Sequence, residues 1–185
     1  MKKVVLLGAL ALAACNKEPE VKIENATPAQ VASKVRAARG AETKLQPGQW
    51  QVVSSMDLLD VQGVPAETAA RMKMAMTRTS SNLQCVSKEQ ADNPNAGLFA
   101  GQNNSRCKYE SFEMTGGKIA AKMRCPGENG AEMLMTMDGS FDPKSYQVTA
   151  DMNMNMGASG QKMRMTMKST GTRVGECPAG QAKTG

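Results

Sequence analysis

From residue 47 to residue 177, apolar and polar side chains alternate over most of the chain with a period of two, interrupted at short intervals by Gly, Pro and Asp. That pattern predicts a sheet with one apolar face and one face in water. The predicted strands cover residues 49–56, 72–85, 107–114, 118–125, 131–142, 145–156 and 161–170, with a short return over 172–177. A short helical insert over 87–98 opens at Ser87 and is broken by Pro94 and Gly97. Ahead of this region the period is helical. Thr27-Pro28-Ala29-Gln30 supplies an N-cap, a proline at the first helical position and a reciprocal capping partner, so a helix runs from Pro28 to Arg39 and stops at Gly40. Its apolar stripe is thin: Val31, Val35 and Ala38. Residues 16–26 are polar, show no periodicity and read as a tether.

The last three long strands can be placed in register from their turns. Asp142-Pro143-Lys144-Ser145 has the residues of a tight turn with proline second. It sets Met137 opposite Ala150, Met135 opposite Met152 and Met133 opposite Met154. The next loop, Gly157-Ala158-Ser159-Gly160, sets Met154 opposite Met163 and Met152 opposite Met165. Two separately placed turns thus produce continuous methionine rows. Glu132, Thr136, Asp138, Asp151, Asn153, Asn155, Lys162, Arg164 and Lys168 fall on the opposite face, as solubilising polar residues. The expected fold is mainly β: an antiparallel meander of about seven or eight strands curled into a half-barrel or barrel, with one short helical insert and the N-terminal helix.

The first residues have a different grammar. Met1-Lys2-Lys3 is positive, Val4 to Leu12 is apolar, and Leu12-Ala13-Ala14-Cys15 closes the run. This resembles the bacterial lipoprotein signal, which is cut before the cysteine and leaves that cysteine acylated. Cys15 is therefore the expected lipid anchor. The apolar run is too short to span a bilayer, which needs about 20 apolar residues. Asn16 stands where an Asp retains such lipoproteins in the inner membrane, so the resemblance implies an outer-membrane anchor facing the periplasm. The expected organisation is a signal peptide at 1–14, a lipidated tether with a short helix at 15–44, a β-rich domain at 45–178 and a disordered tail at 179–185.

Cysteine usage agrees with export. Cys15 aside, Cys85, Cys107, Cys125 and Cys177 remain, enough for two disulfides. Counting back from a three-residue loop, Thr115-Gly116-Gly117, puts Met114 opposite Lys118, Tyr109 opposite Met123 and Cys107 opposite Cys125. Cys85 then pairs with Cys177. The rival arrangement joins Cys85 to Cys107 across the insert and Cys125 to Cys177. A thiolate metal site would show C-x-x-C pairs, and the sequence has none.

The formal charge of +6 is spread without blocks and aromatics make up only 3% of the chain, so nucleic-acid binding has no footprint here. The chain has no His, no nucleophile elbow and no glycine-rich phosphate loop. No enzyme activity, catalytic residue, metal site or cofactor is expected. What stands out is 16 methionines. Met133, Met135, Met137, Met152, Met154, Met163, Met165 and Met167 share one face, and Met72, Met74 and Met76 repeat the alternation on another predicted strand. The first reading of that face is plain core, since Met fills irregular gaps. A deformable surface for a hydrophobic or lipid-like ligand is the second, and soft thioether ligation of Cu(I) the third.

Pro47-Gly48-Gln49-Trp50 at the start of the domain and Arg173-Val174-Gly175-Glu176-Cys177 at its end bracket the Cys85 strand, the Cys107 to Cys125 hairpin and the methionine strands. Over residues 45–178 this resembles the bacterial envelope family known as domain of unknown function 3617. The resemblance implies a secreted or lipid-anchored β-rich protein of Gram-negative bacteria, and it brings no activity and no functional residues. The expected role is that of an envelope lipoprotein acting by binding, with a hydrophobic ligand as the first partner class. The alternatives are an interaction or inhibitor module directed at an envelope protein, and a methionine-based Cu(I) protein.

Overall fold

The computed structural model describes residues 20–38, 44–92 and 106–179. The signal segment, Cys15, Arg39 and Gly40, the second part of the insert and the last six residues lie outside them. Eight strands form one antiparallel sheet: β1 (Glu20–Ala26), β2 (Gly48–Gln62), β3 (Arg78–Val86), β4 (Lys108–Thr115), β5 (Lys118–Pro126), β6 (Ala131–Asp142), β7 (Ser145–Met156) and β8 (Lys162–Gly175). Helix α1 (Pro28–Ala38) follows β1, α2 (Ala66–Met76) joins β2 to β3, and α3 (Lys88–Asp92) follows β3. The strand order is β1-β4-β5-β6-β7-β8-β2-β3, and the sheet is curled but not closed, a half-barrel. No described helix is long and apolar enough to cross a membrane.

The meander is confined to β4 through β8. Its two edges are completed by N-terminal strands, β1 against β4 and β2 against β8. The first of these corrects the tether reading for residues 20–26. Val21 and Ile23 alternate with Lys22 and Glu24, and pair with Met114, Phe112, Glu113 and Ser111 of β4. An edge strand needs few apolar residues and tolerates charges on its exposed side, so two such residues sufficed to dock it. Helix α1 starts as its sequence predicts: Thr27 N–H donates to Gln30 Oε1 at 2.8 Å and Gln30 N–H donates to Thr27 Oγ1 at 3.3 Å. Val31, Val35 and Ala32 are buried, and the helix packs on β1 and β4. The same reciprocal cap, Ser87 with Gln90, opens α3.

A second correction concerns 72–85. Met72 and Met76 stand on helix α2, half-buried, while Met74 points into solvent, and only 78–86 is strand. Period-two methionines at 72, 74 and 76 imitate a strand. The flanking Ala66, Ala69, Ala70 and Ala75 favour helix, and Ala69, Met72 and Met76 lie on one helical stripe. Strand β2 runs six residues beyond its expected end, and β8 is continuous through Gly171 where a break was expected. The ring of Tyr146 takes the space a side chain at 171 would need, with Cε1 2.1 Å from an ideal Cβ position.

The β6–β7 and β7–β8 registers are those derived from the turns, with Met133, Met135 and Met137 opposite Met154, Met152 and Ala150. Met163 and Met165 face Met154 and Met152. The β4–β5 hairpin differs in detail. Thr115 faces Lys118 across a two-residue turn, Gly116-Gly117, both with positive φ. One strand is therefore a residue out of step with the three-residue expectation. A bulge between Tyr109 and Ser111 absorbs the offset, so Tyr109 still faces Met123. The Cα atoms of Cys107 and Cys125 are 4.1 Å apart, and those of Cys85 and Cys177 5.6 Å apart, both pairs at disulfide distance.

Candidate functional site

Because side chains alternate across strands, the registers assemble one apolar face from seven strands. Its central row reads Met123, Met135, Met152, Met165 and Leu58 across β5, β6, β7, β8 and β2. All but Met152 are buried. The neighbouring row reads Cys125, Met133, Met154, Met163 and Val61, and here Met133, Met154, Met163 and Val61 are only half-buried. On the other side Met137 and Ala150 are buried, Met167 is 37% exposed and Met56 is half-buried.

The eight methionines named from the sequence thus share one face but divide by environment. Met135, Met137 and Met165 are core. Met133 and Met152 pack on the core from its margin. Met154, Met163 and Met167 continue the face outward with part of each side chain in water. The row Met135, Met152, Met165, which a soft metal ion would need, is closed at both ends by buried members. Among the described residues no group of three or more His, Cys, Asp or Glu is placed to hold a metal ion.

Sequence reasoning stopped β2 at Met56 and so missed Leu58 and Val61. The signal was present but broken: the alternation Met56, Leu58 fails at Leu59. A register shift between Leu58 and Asp60 restores Val61 to the apolar face, opposite Met163.

A second cluster lies at the opposite rim. Trp50 is buried, donates its indole N–H to Gln46 O at 3.0 Å, and stacks on Tyr146 with ring centroids 6.0 Å apart. Arg173 donates Nε–H to Pro47 O at 2.7 Å and pairs with Glu176. An ideal Cβ on Gly48 would stand 2.4 Å from Gly175 O, so only glycine lets these strands approach. With Cys177 close to Cys85, the two ends of the domain are fastened to each other. These are joints: the Trp50 indole N–H is spent on Gln46 O, and the Arg173 guanidinium on Pro47 O and Glu176.

Titratable groups with altered behaviour are few. Burial holds the Tyr109 phenol above its ordinary pKa. The Ser145 hydroxyl, with the Lys144 and Ser145 backbone N–H groups, holds the Asp142 carboxyl below its own. Neither stands on the exposed part of the methionine face.

One family model matches the chain, over residues 45–177, and its description reads "Protein of unknown function (DUF3617)". The matched span contains both ends of the fastened rim and all of β2 to β8, and leaves β1 and α1 outside. No curated protein and no solved structure gives a match.

Proposed function

The chain belongs to the DUF3617 family, and we propose that it is a lipid-anchored envelope protein that binds a hydrophobic, lipid-like ligand and catalyses no reaction. One observation carries this reading. The apolar face continues past the core into the half-buried residues Met133, Met154 and Met163, with Met167 exposed beside them. Unbranched, polarizable methionines suit a surface that adapts to guests of variable shape. Acylation at Cys15 would hold that surface near a bilayer, with more than one chain needed for firm anchoring. The outer membrane, facing the periplasm, is the location this reading favours.

The binding test is titration with the apolar fluorophore N-phenylnaphthylamine, then displacement by a lysophospholipid. Saturable uptake that is displaced, and that falls in Met154→Lys/Met167→Lys but not in Met154→Leu/Met167→Leu, supports the reading. Leucine roughly conserves volume at these sites. Equal uptake by the Lys and Leu variants, or no saturable uptake, overturns it. For the anchor, labelled palmitate supplied to cells should enter the wild-type chain and not Cys15→Ser. Equal label in both would end the lipoprotein reading.

A further inference from the structure

The polar face of the sheet carries a depression of about 310 Å³ between β2, β6, β7 and β8, bordered at its edge by Met154 and Met163. Sequence reasoning placed five of its residues, Glu132, Asn153, Asn155, Lys162 and Arg164, on the solvent face as solubilising polar groups. Their arrangement argues for more.

Two residues reach this face only through the irregularity in β2. In an unbroken strand Asp60 would share the apolar face with Leu58. The shift between Leu58 and Asp60 turns Asp60 and Gln62 to the polar side, opposite Arg164 and Lys162. Gln62 then donates its amide N–H to Asp60 Oδ2 at 2.7 Å, which orients the carboxylate and leaves Oδ1 able to accept.

Across the depression the groups on offer are mostly donors. Asn155 uses its Oδ1 to accept from Gly157 N–H at 3.1 Å, so its amide N–H groups remain. The side chains of Arg164, Lys162 and Asn153 make no hydrogen bond or ion pair among the described residues. Glu132 is engaged through Oε1 by Arg124 Nη1 at 2.5 Å, while the same Arg124 also donates Nε–H to Glu110 at 2.7 Å. The lining presents two cations without an ion pair, Arg164 and Lys162, beside the oriented Asp60 carboxylate, with Glu132 held on Arg124 at the far side and Leu134, Met154 and Met163 as its apolar part. Such a surface fits a guest rich in acceptors, anionic at one end and hydroxylated at the other.

We propose that this depression binds a sugar acid, a monosaccharide-sized molecule bearing one carboxylate or phosphate, with its acid group on Arg164 and Lys162 and a hydroxyl on Asp60. A guanidinium matches either acid group through paired N–H donors. The volume is at the small end of ligand sites, about 300–1,000 Å³, which suits a single ring. The proposal does not rest on the methionine reading: the groups that would hold the acid and the hydroxyl, Arg164, Lys162 and Asp60, stand on the polar side, and the two sites share only Met154 and Met163 at the edge.

The test is ligand-observed NMR titration of the full chain with N-acetylmuramic acid, a hexose phosphate and neutral N-acetylglucosamine. At least one of the acids should bind more tightly than the neutral sugar. Arg164→Gln should weaken that acid about tenfold, as loss of a charge-assisted hydrogen bond does. Lys168→Gln, on the same face outside the depression, should leave it unchanged. Preference for the carboxylate or the phosphate identifies the source of the guest. Failure of both acids to bind, equal binding of the neutral sugar, or equal weakening by Lys168→Gln overturns the proposal. Uptake of N-phenylnaphthylamine by Arg164→Gln should match wild type, which separates this result from the methionine reading.

Discussion

The two halves of the sheet solve the same burial problem differently. In the first half, β1, β4, β5 and β6, the apolar face carries Tyr109, Phe112, Met114 and Met123, all nearly inaccessible, and α1 lies over β1 and β4. In the second half, β7, β8, β2 and β3, the face is thinner. Helix α2 packs on β2 without burying any of its own residues, and seven of the nine residues of β3 are exposed. Aromatic side chains with fixed shapes fill the closed half, where Tyr109 meets Phe112 edge-on at 5.7 Å, whereas in the open half the aromatic pair, Trp50 and Tyr146, is confined to the rim. Methionines dominate where the cover runs out. The contrast teaches that a periodic pattern reports which side a residue faces, while the depth of its burial depends on what lies over it.

Four measurements would break or sharpen this contrast. The largest effect is expected from Cys85→Ser/Cys177→Ser, which frees β3 from the end of β8. Its partners are 92 residues apart, against 18 for Cys107 and Cys125. The chain-entropy model gives about 4–5 kcal/mol for the long loop and about 3 for the short one. Urea unfolding of each Ser pair should reproduce that order; a larger loss for Cys107→Ser/Cys125→Ser would mean that the open half stands without its tie.

Next comes packing. Phe112→Ala should cost about 3–5 kcal/mol, as deletion of a buried aromatic does. Met154→Ala, half in water already, should cost about 1 kcal/mol. Similar losses in chemical denaturation would erase the distinction between the halves.

Tyr109 probes the closed half by pH. Its folded pKa is raised by burial. The associated stability is therefore whole below the unfolded value, about 10, and is lost as pH climbs from there through the folded value. Tyr109→Phe should flatten that alkaline decline in urea midpoints, and an unchanged decline would show the phenol to be accessible.

The smallest effect belongs to Asp142, in the turn between the halves. Its folded pKa is lowered, first by the Ser145 hydroxyl. The stability it adds is present above the unfolded value of about 3.9 and fades as pH falls through the folded value. Because the group is exposed, Asp142→Asn should cost less than about 1 kcal/mol at neutral pH, and the gap should vanish in acid. A constant gap across the acid range would assign the turn's stability to groups other than this carboxylate.

Legibility in the sequence followed the strength of the alternation. Strands β6 and β7 carry it for twelve residues each, and their ends and registers could be derived by hand. In β1 only Val21 and Ile23 mark the period, among Glu and Lys, so its pairing was invisible without β4. Helix α2 was hidden by a coincidence: methionines at 72, 74 and 76 satisfy a period of two, while only Met72 and Met76 face inward. The methionine face was legible as a face. Its division into core and margin depends on α1, α2 and the extension of β2, and a tertiary cover leaves no local mark. The polar depression was illegible for a sharper reason. A bulge reverses the facing of every later residue in its strand, and the failed alternation at Leu58-Leu59-Asp60 reads equally well as the end of the strand.

The joint between β2 and β8 has a consequence for assembly. Pro47 and Arg173, which meet there, are separated by 126 residues. Strands β4 to β8 need only their sequence neighbours to begin pairing, while β1 and β2 must each find an edge made from much later chain. During synthesis the N-terminal strands emerge first and wait for partners that do not yet exist. Closing such long intervals costs chain entropy before any contact rewards it. The meander is thus the natural nucleus, and the flanking strands dock last. A chain built this way stays unfinished until its final strand is made.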